Sequence, residues 1–172
     1  MKSLKLCFES LLDDEDIFLD PKNDKKVIEE WIRNNYKITG KLIISDDLVV
    51  DCKGSVYVEN ENIESLTNGL FRWGKVIGAF YCDGCKNLTS LKGAPKEVCR
   101  SFDCNGCDNL TSLEGSPKEV GWSFVCSHCD NLITLEGAPE KVGGGFYCNH
   151  CVSLKSLDGI SAHIKDKIHA DI

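Results

Sequence analysis

Long apolar runs are absent from this chain, and nothing in it approaches the roughly 20 apolar residues that a membrane-spanning helix needs. A secretory leader is not expected either. The basic start Met1-Lys2-Ser3-Leu4-Lys5-Leu6-Cys7 meets Glu9 and the acids from Asp13 to Asp16 before an apolar core builds up. Both readings make a cytoplasmic protein with no membrane partner the default. A basic excess is lacking as well: 20 Lys and Arg stand against 27 Asp and Glu, a net charge of −7, which argues against a general binder of nucleic acid or anionic membrane. No phosphate-cradling glycine loop occurs, because the glycines fall at the period of a repeat. Proline is scarce too. Pro21 ends the opening segment, and Pro95, Pro117 and Pro139 occupy one position of that same repeat.

What is present is a 22-residue unit written four times between Phe80 and Leu157. Phe80, Phe102, Phe124 and Phe146 open the copies. Cys82, Cys104, Cys126 and Cys148 follow, then Cys85, Cys107, Cys129 and Cys151. Leucine pairs three apart come next, from Leu88/Leu91 to Leu154/Leu157, and Gly93, Gly115, Gly137 and Gly159 close them. A unit this short cannot bury a core alone, so copies must stack and share one interior. The Phe-x-Cys step alternates like a short strand, with its outer members inward and the middle residue outward. Stacked strands then build a parallel sheet, and Gly-x-Pro forces turns and short 3₁₀ pieces on the opposite side. A hydrophobic share of 42% with 27% charged residues suits one continuous soluble core.

The order of strand, Cys and paired Leu positions resembles the leucine-rich repeat. The run Leu-Thr-Ser-Leu-(Lys/Glu)-Gly-(Ala/Ser)-Pro-Lys-Glu-Val at Leu88 to Val98 and Leu110 to Val120 is similar to short repeats in proteins of large bacteriophages and some bacteria. The resemblance covers about the last 120 residues. It implies a mainly β repeat solenoid with a leucine-rich-repeat-like parallel sheet. It also implies a recognition scaffold rather than one fixed activity: a phage or mobile-element protein that binds and inhibits a bacterial host complex such as a defence system.

Residues 1 to 22 mix Leu11, Leu12, Ile17, Phe18 and Leu19 with acids, and read equally as a short helix or an ordered arm. From Asp24 to Tyr36 the apolar Val27, Ile28, Trp31, Ile32 and Tyr36 recur at helical spacing opposite Lys25, Lys26, Glu29, Glu30 and Arg33. This amphipathic helix is expected to cap the first rung, with Trp31 buried. Gly40-Lys41-Leu42-Ile43-Ile44 and Gly54-Ser55-Val56-Tyr57-Val58 align with Gly78-Ala79-Phe80-Tyr81-Cys82, so six rungs are expected, with strands at 42, 56, 80, 102, 124 and 146. Ile160, Ile164 and Ile168, four apart, predict a short terminal helix. The organisation is an arm and capping helix over 1–37, then one continuous solenoid over 38–172.

Cys82-x₂-Cys85, eighteen residues, Cys104-x₂-Cys107 has a recognised zinc spacing, repeated by Cys126, Cys129, Cys148 and Cys151. The same cysteines are locked in step with Phe, Leu, Gly and Pro, which a solenoid requires and a zinc site does not. Inward sulfurs repeating every ~4.8 Å would also have to be drawn together and ionised to make a Cys₄ site. A packed thiol ladder without cofactor is the expectation, with a zinc-binding structural protein as the alternative. The total of eleven is odd, which speaks against a disulfide framework. His128 and His150 precede Cys129 and Cys151, the one arrangement that could make a catalytic dyad. Gly84 and Gly106 hold the same positions elsewhere and neighbouring residues point apart, so no enzyme is expected.

The outward strand position reads Ile43, Tyr57, Tyr81, Asp103, Val125 and Tyr147, and beyond the inward partner come Ser45, Glu59, Asp83, Asn105, Ser127 and Asn149. Tyrosines set among Asp, Asn and Ser have the composition of a recognition surface. The candidate binding face is therefore Tyr57, Tyr81, Asp83, Asp103, Asn105, Val125, Tyr147 and Asn149, presented to a protein partner. The alternative is an acidic mimic of nucleic acid, carried by Asp13 to Asp16 and the row Glu59/Asp83/Asp103.

Overall fold

The computed structural model describes residues 21–171. Of the expected N-terminal arm, residues 1–20, with Cys7 and the acids Asp13 to Asp16, lie outside that range, and Pro21 and Lys22 open a helix. That helix, α1, is Pro21–Asn35. It starts on a proline, whose missing N–H costs nothing in a first turn, and carries Asp24 near its start and Arg33 near its end, as the helix dipole favours. Ile28, Trp31 and Ile32 are buried while Lys26, Glu29, Glu30 and Arg33 stay exposed.

Thirteen short strands follow: β1 (Tyr36–Ile38), β2 (Leu42–Ile44), β3 (Val49–Cys52), β4 (Val56–Val58), β5 (Arg72–Val76), β6 (Phe80–Tyr81), β7 (Glu97–Val98), β8 (Phe102–Asp103), β9 (Glu119–Val120), β10 (Phe124–Val125), β11 (Lys141–Val142), β12 (Phe146–Tyr147) and β13 (Ile168–His169). They wind into a β-solenoid of about six turns. Each turn contributes one strand to each of two sheets. Sheet A runs β1-β4-β6-β8-β10-β12-β13 and sheet B runs β11-β9-β7-β5-β3-β2.

The solenoid class is as the sequence predicts, and three details differ. The side opposite the phenylalanines is a second parallel sheet. After each buried Pro95, Pro117 and Pro139 the chain is extended, and Glu97-Val98, Glu119-Val120 and Lys141-Val142 pair in register with the valines inward. A 3₁₀ turn is present at Lys165–Lys167. Secondly, Leu42–Ile44 is no rung of the phenylalanine sheet. Residues 36–44 form one long hairpin with 50–58, in a single continuous antiparallel register from Tyr36↔Val58 and Ile38↔Val56 through Leu42↔Cys52 to Ile44↔Val50. The hairpin bends from sheet A into sheet B where Gly40 faces Gly54; a Cβ on either would come within 2.5 Å of the other's backbone nitrogen. Thirdly, the terminal segment is the 3₁₀ turn followed by a strand. Ile168-His169 pairs in parallel with Phe146-Tyr147, so the 22-residue period reaches one copy further than its cysteines do.

One apolar core runs the length of the solenoid. Phe80, Phe102, Phe124 and Phe146 are fully buried and stack ring on ring at centroid distances of 5.5, 5.4 and 5.1 Å. This follows from placing the same residue at the same register on strands ~4.8 Å apart. At the N-terminal end the file becomes an aromatic cluster. Trp73 packs edge-on against Phe80, Tyr36 and Phe71, and Trp31 of α1 closes it over Tyr36 and Phe71 at 5.6 and 5.8 Å. Trp31 is 8% exposed, so α1 caps the rung as expected.

At the other end Ile164 is buried one period after Val142. Lys167 Nζ donates to Val142 O and Gly143 O at 2.7 and 3.1 Å, ending the sheet B ladder with an ammonium group. The leucine segments close on glycines in the left-handed region: Gly115 has φ +89°, and a Cβ there would lie 2.4 Å from Lys92 N of the preceding turn. Both conformation and space exclude a side chain at that corner. No helix among the described residues is long and apolar enough to cross a membrane.

Candidate recognition face

The pleat of sheet A fixes which side chains it shows. With the phenylalanines inward, the middle residue of each strand faces out. In-register pairing aligns Lys37, Tyr57, Tyr81, Asp103, Val125, Tyr147 and His169 in one row across seven strands. Tyr57, Tyr81, Asp103, Val125 and Tyr147 are half-buried, each covered on its flanks by its row neighbours and open above. Glu59, Asp83, Asn105, Ser127, Asn149 and Asp171 run beside this row, past the inward Cys position. All eight expected face residues therefore lie on one surface. Ile43 does not: it faces out from sheet B and is 42% exposed.

The sequence reading missed two members of the row. Lys37 enters through an antiparallel strand that no repeat period marks. His169 had a signal, since Ile168-His169 stands 22 residues after Phe146-Tyr147, but the fourfold isoleucine spacing suggested a helix there.

The aromatics form two stacked pairs. Tyr57 and Tyr81 lie 4.8 Å apart with planes 12° from parallel, and Tyr147 and His169 lie 4.5 Å apart at 8°. The second pair depends on a glycine: a Cβ at Gly145 would meet the Tyr147 ring at 2.6 Å, where the other rungs carry Ala79, Ser101 and Ser123. Between the pairs sits Asp103, whose Oδ1 accepts the Asn105 N–H at 2.9 Å. Burial pushes its carboxyl above the ordinary value of 3.8 and the nearby Asp83 adds to the rise, against the Asn105 hydrogen bond.

Charge is distributed differently on the two sheets. On sheet B the outward acids are paired with lysines one rung away, Lys75 with Glu97 and Lys141 with Glu119, both at 2.7 Å. On the turns Lys86–Asp108, Lys92–Glu114 and Lys118–Glu140 do the same at 3.1–3.6 Å. Among the described residues no such ion pair involves Glu59, Asp83 or Asp103 on the sheet A side.

Two rows of thiols line the interior beneath the face. Cys82, Cys104, Cys126 and Cys148 follow the phenylalanines inward, and Cys85, Cys107, Cys129 and Cys151 sit at the next bend; all are buried. The second row has a specific task. Each of its later members donates S–H to the carbonyl of the first cysteine one turn back: Cys107 to Cys82, Cys129 to Cys104 and Cys151 to Cys126, at 3.1 to 3.3 Å. Burial drives Cys85 and Cys148 to about 12 and Cys151 to about 11.

Among the described residues no three His, Cys, Asp or Glu side chains converge as a metal site would require. His128 and His150 hold the turn in the left-handed conformation that Gly84 and Gly106 adopt in earlier copies. Their rings are exposed and neighbour each other at 4.7 Å, and His150 Nδ1 meets Asp171 at 2.8 Å, while Cys129 and Cys151 point into the core. Histidine and thiol are thus on opposite sides of the backbone. Two open depressions lie at the ends of the solenoid, one by Cys148, His150, Val152 and Asp171, the other by Ile32, Tyr36 and Leu42.

No family model, no curated protein and no solved structure matches this chain.

Proposed function

We propose that this protein is a non-enzymatic recognition scaffold that binds a protein partner on the outer face of sheet A. The observation that carries this reading is the row itself. Half-buried tyrosines are stacked in pairs on a rigid parallel sheet, with Asp, Asn and Ser around them, so anchors are pre-positioned at little entropic cost. The likeness of the repeat to the leucine-rich repeats of large bacteriophages makes the partner a host complex, such as a bacterial defence system, that binding would inhibit. The acidic-mimic reading would rest on Glu59, Asp83 and Asp103, three acids set among Tyr, Val, Asn and Ser, while the sheet B acids Glu97 and Glu119 are paired with lysines.

The experiment is capture of partner from bacterial lysate by wild-type protein, by Tyr81→Ala and Tyr147→Ala, and by the turn control Lys96→Ala. Each tyrosine change is expected to leave folding nearly unaltered and weaken binding by at least about 1 kcal/mol, with Lys96→Ala within error. Loss on Lys96→Ala with the tyrosine variants unaffected would move the binding surface off sheet A.

A further inference from the structure

Resting on that reading of the face, we infer that its partner presents an extended basic segment, with an arginine or lysine head group seated on the Tyr57–Tyr81 pair against Asp83 and Asp103. Three observations meet at this point of the row. The two tyrosine rings, 4.8 Å apart and within 12° of parallel, are stacked on each other, so Tyr57 backs one face of Tyr81 and leaves its other face turned along the row toward Asp103. A cation within about 6 Å of such rings is attracted by their quadrupoles. Beside that face, Asp103 follows Tyr81 in the same row on the neighbouring rung by strand register, and Asp83 lies two residues beyond Tyr81 on its own rung.

Asp83 is close enough to Asp103 to help push its carboxyl up, after burial. At five other positions the repeat answers an outward acid with a lysine on the adjacent rung: Glu97, Glu119, Asp108, Glu114 and Glu140. At Asp83 and Asp103 it does not, so an exposed and a half-buried carboxylate are held beside the free face of Tyr81 with no ion-pair partner among the described residues. An incoming guanidinium relieves that repulsion, hydrogen-bonds both carboxylates and stacks on Tyr81 in one placement. The molecule shows the same stacking internally, where Arg100 lies 5.3 Å from the Trp122 ring centroid.

The row continues to a second aromatic pair, Tyr147–His169, across Val125. Tyr81 and Tyr147 are three rungs apart, about 14 Å at the usual strand spacing. An extended chain at ~3.3 Å per residue covers this with four residues. A segment lying along the row thus places one side chain on each pair, and Val125 floors the apolar residue between.

The test is selection of random twelve-residue peptides on the immobilised wild-type protein, followed by titration of the selected peptides into four proteins: wild type, Tyr81→Ala/Tyr147→Ala, Asp83→Asn/Asp103→Asn, and Glu97→Gln/Glu119→Gln. The last two remove the same formal charge from opposite sheets. The expected result is enrichment of Arg or Lys, with affinity falling tenfold or more in Asp83→Asn/Asp103→Asn and less than twofold in Glu97→Gln/Glu119→Gln. Equal loss in both charge variants would mean attraction by net charge alone and would overturn the inference. Peptides that need Tyr81 and Tyr147 but carry no basic residue would overturn it while leaving the recognition face standing. Peptides indifferent to the tyrosines would overturn both.

Discussion

Two cysteines of the same repeat, three residues apart and equally buried, do different physical work. The first fills volume beside the phenylalanine file. Val58 already holds that place in the rung before Cys82, and although Cys104 also donates S–H to Val125 O at 3.3 Å, Cys126 makes no side-chain hydrogen bond among the described residues. The second is a donor, since Cys107 satisfies the Cys82 carbonyl at 3.1 Å. A buried carbonyl stripped of its donor costs about 1–3 kcal/mol, and a hydroxyl buried without a partner costs a similar amount. The rank order of substitutions should therefore invert. Cys126→Val is expected to be milder than Cys126→Ser, and Cys107→Ser milder than Cys107→Val, as read by urea unfolding with reductant present. The same order at both positions would mean that the S–H bonds contribute nothing.

The thiols also set an alkaline limit. Cys85, Cys148 and Cys151 hold their protons to about 12, 12 and 11 in the folded chain, against an ordinary thiol value of 9.0. Between those values the unfolded chain has lost protons that the folded chain keeps, so the native state binds more protons and stability falls as pH rises. Unfolding free energy should be flat with respect to these groups from pH 7 to 8 and decline from about pH 9 upward. A rise above pH 9 would contradict the burial of the thiol rows.

At the scale of the element, helix α1 shields the open end of the aromatic file. Trp31→Ala removes the ring that covers Tyr36 and Phe71, and the expected loss is about 3–5 kcal/mol, with self-association through the exposed end. Chemical denaturation gives the first quantity and sedimentation the second. A harmless Trp31→Ala would make α1 a docking element instead of a cap. The opening hairpin shows where sequence reading stops. Helix α1, the phenylalanine strands and the thiol rows were legible because 3.6-residue and 22-residue periodicities leave direct marks on the apolar pattern. The hairpin was not, because Gly40-Lys41-Leu42 and Gly54-Ser55-Val56 look like copies of one rung while being partners facing each other. Their glycines match because two backbones cross there, not because a period repeats. The second sheet escaped for a related reason: two-residue strands such as Glu97–Val98 have too few positions to show alternation.

Over the whole molecule, stacking identical turns does two things at once. It keeps identical residues inside, where Phe on Phe and thiol on carbonyl give each turn the same support. It leaves the outward position free to differ, and there the repeat places Tyr, Tyr, Asp, Val, Tyr and His in sequence along sheet A. The candidate face was legible residue by residue from the pleat. The ring stacking and the unanswered charge of Asp83 and Asp103 were not, because they depend on side-chain placement across turns.

Tyrosine itself supplies the most direct measurement of the central claim. The chain has four tyrosines, of which Tyr36 is buried and hydrogen-bonded to Leu66 O while Tyr57, Tyr81 and Tyr147 line the face. Protein labelled with 3-fluorotyrosine should give four ¹⁹F resonances, assigned by single Tyr→Phe changes. On adding the captured partner or a selected peptide, the resonances of Tyr57, Tyr81 and Tyr147 are expected to shift or broaden while that of Tyr36 stays in place. Binding that leaves the three face resonances unmoved would contradict the account.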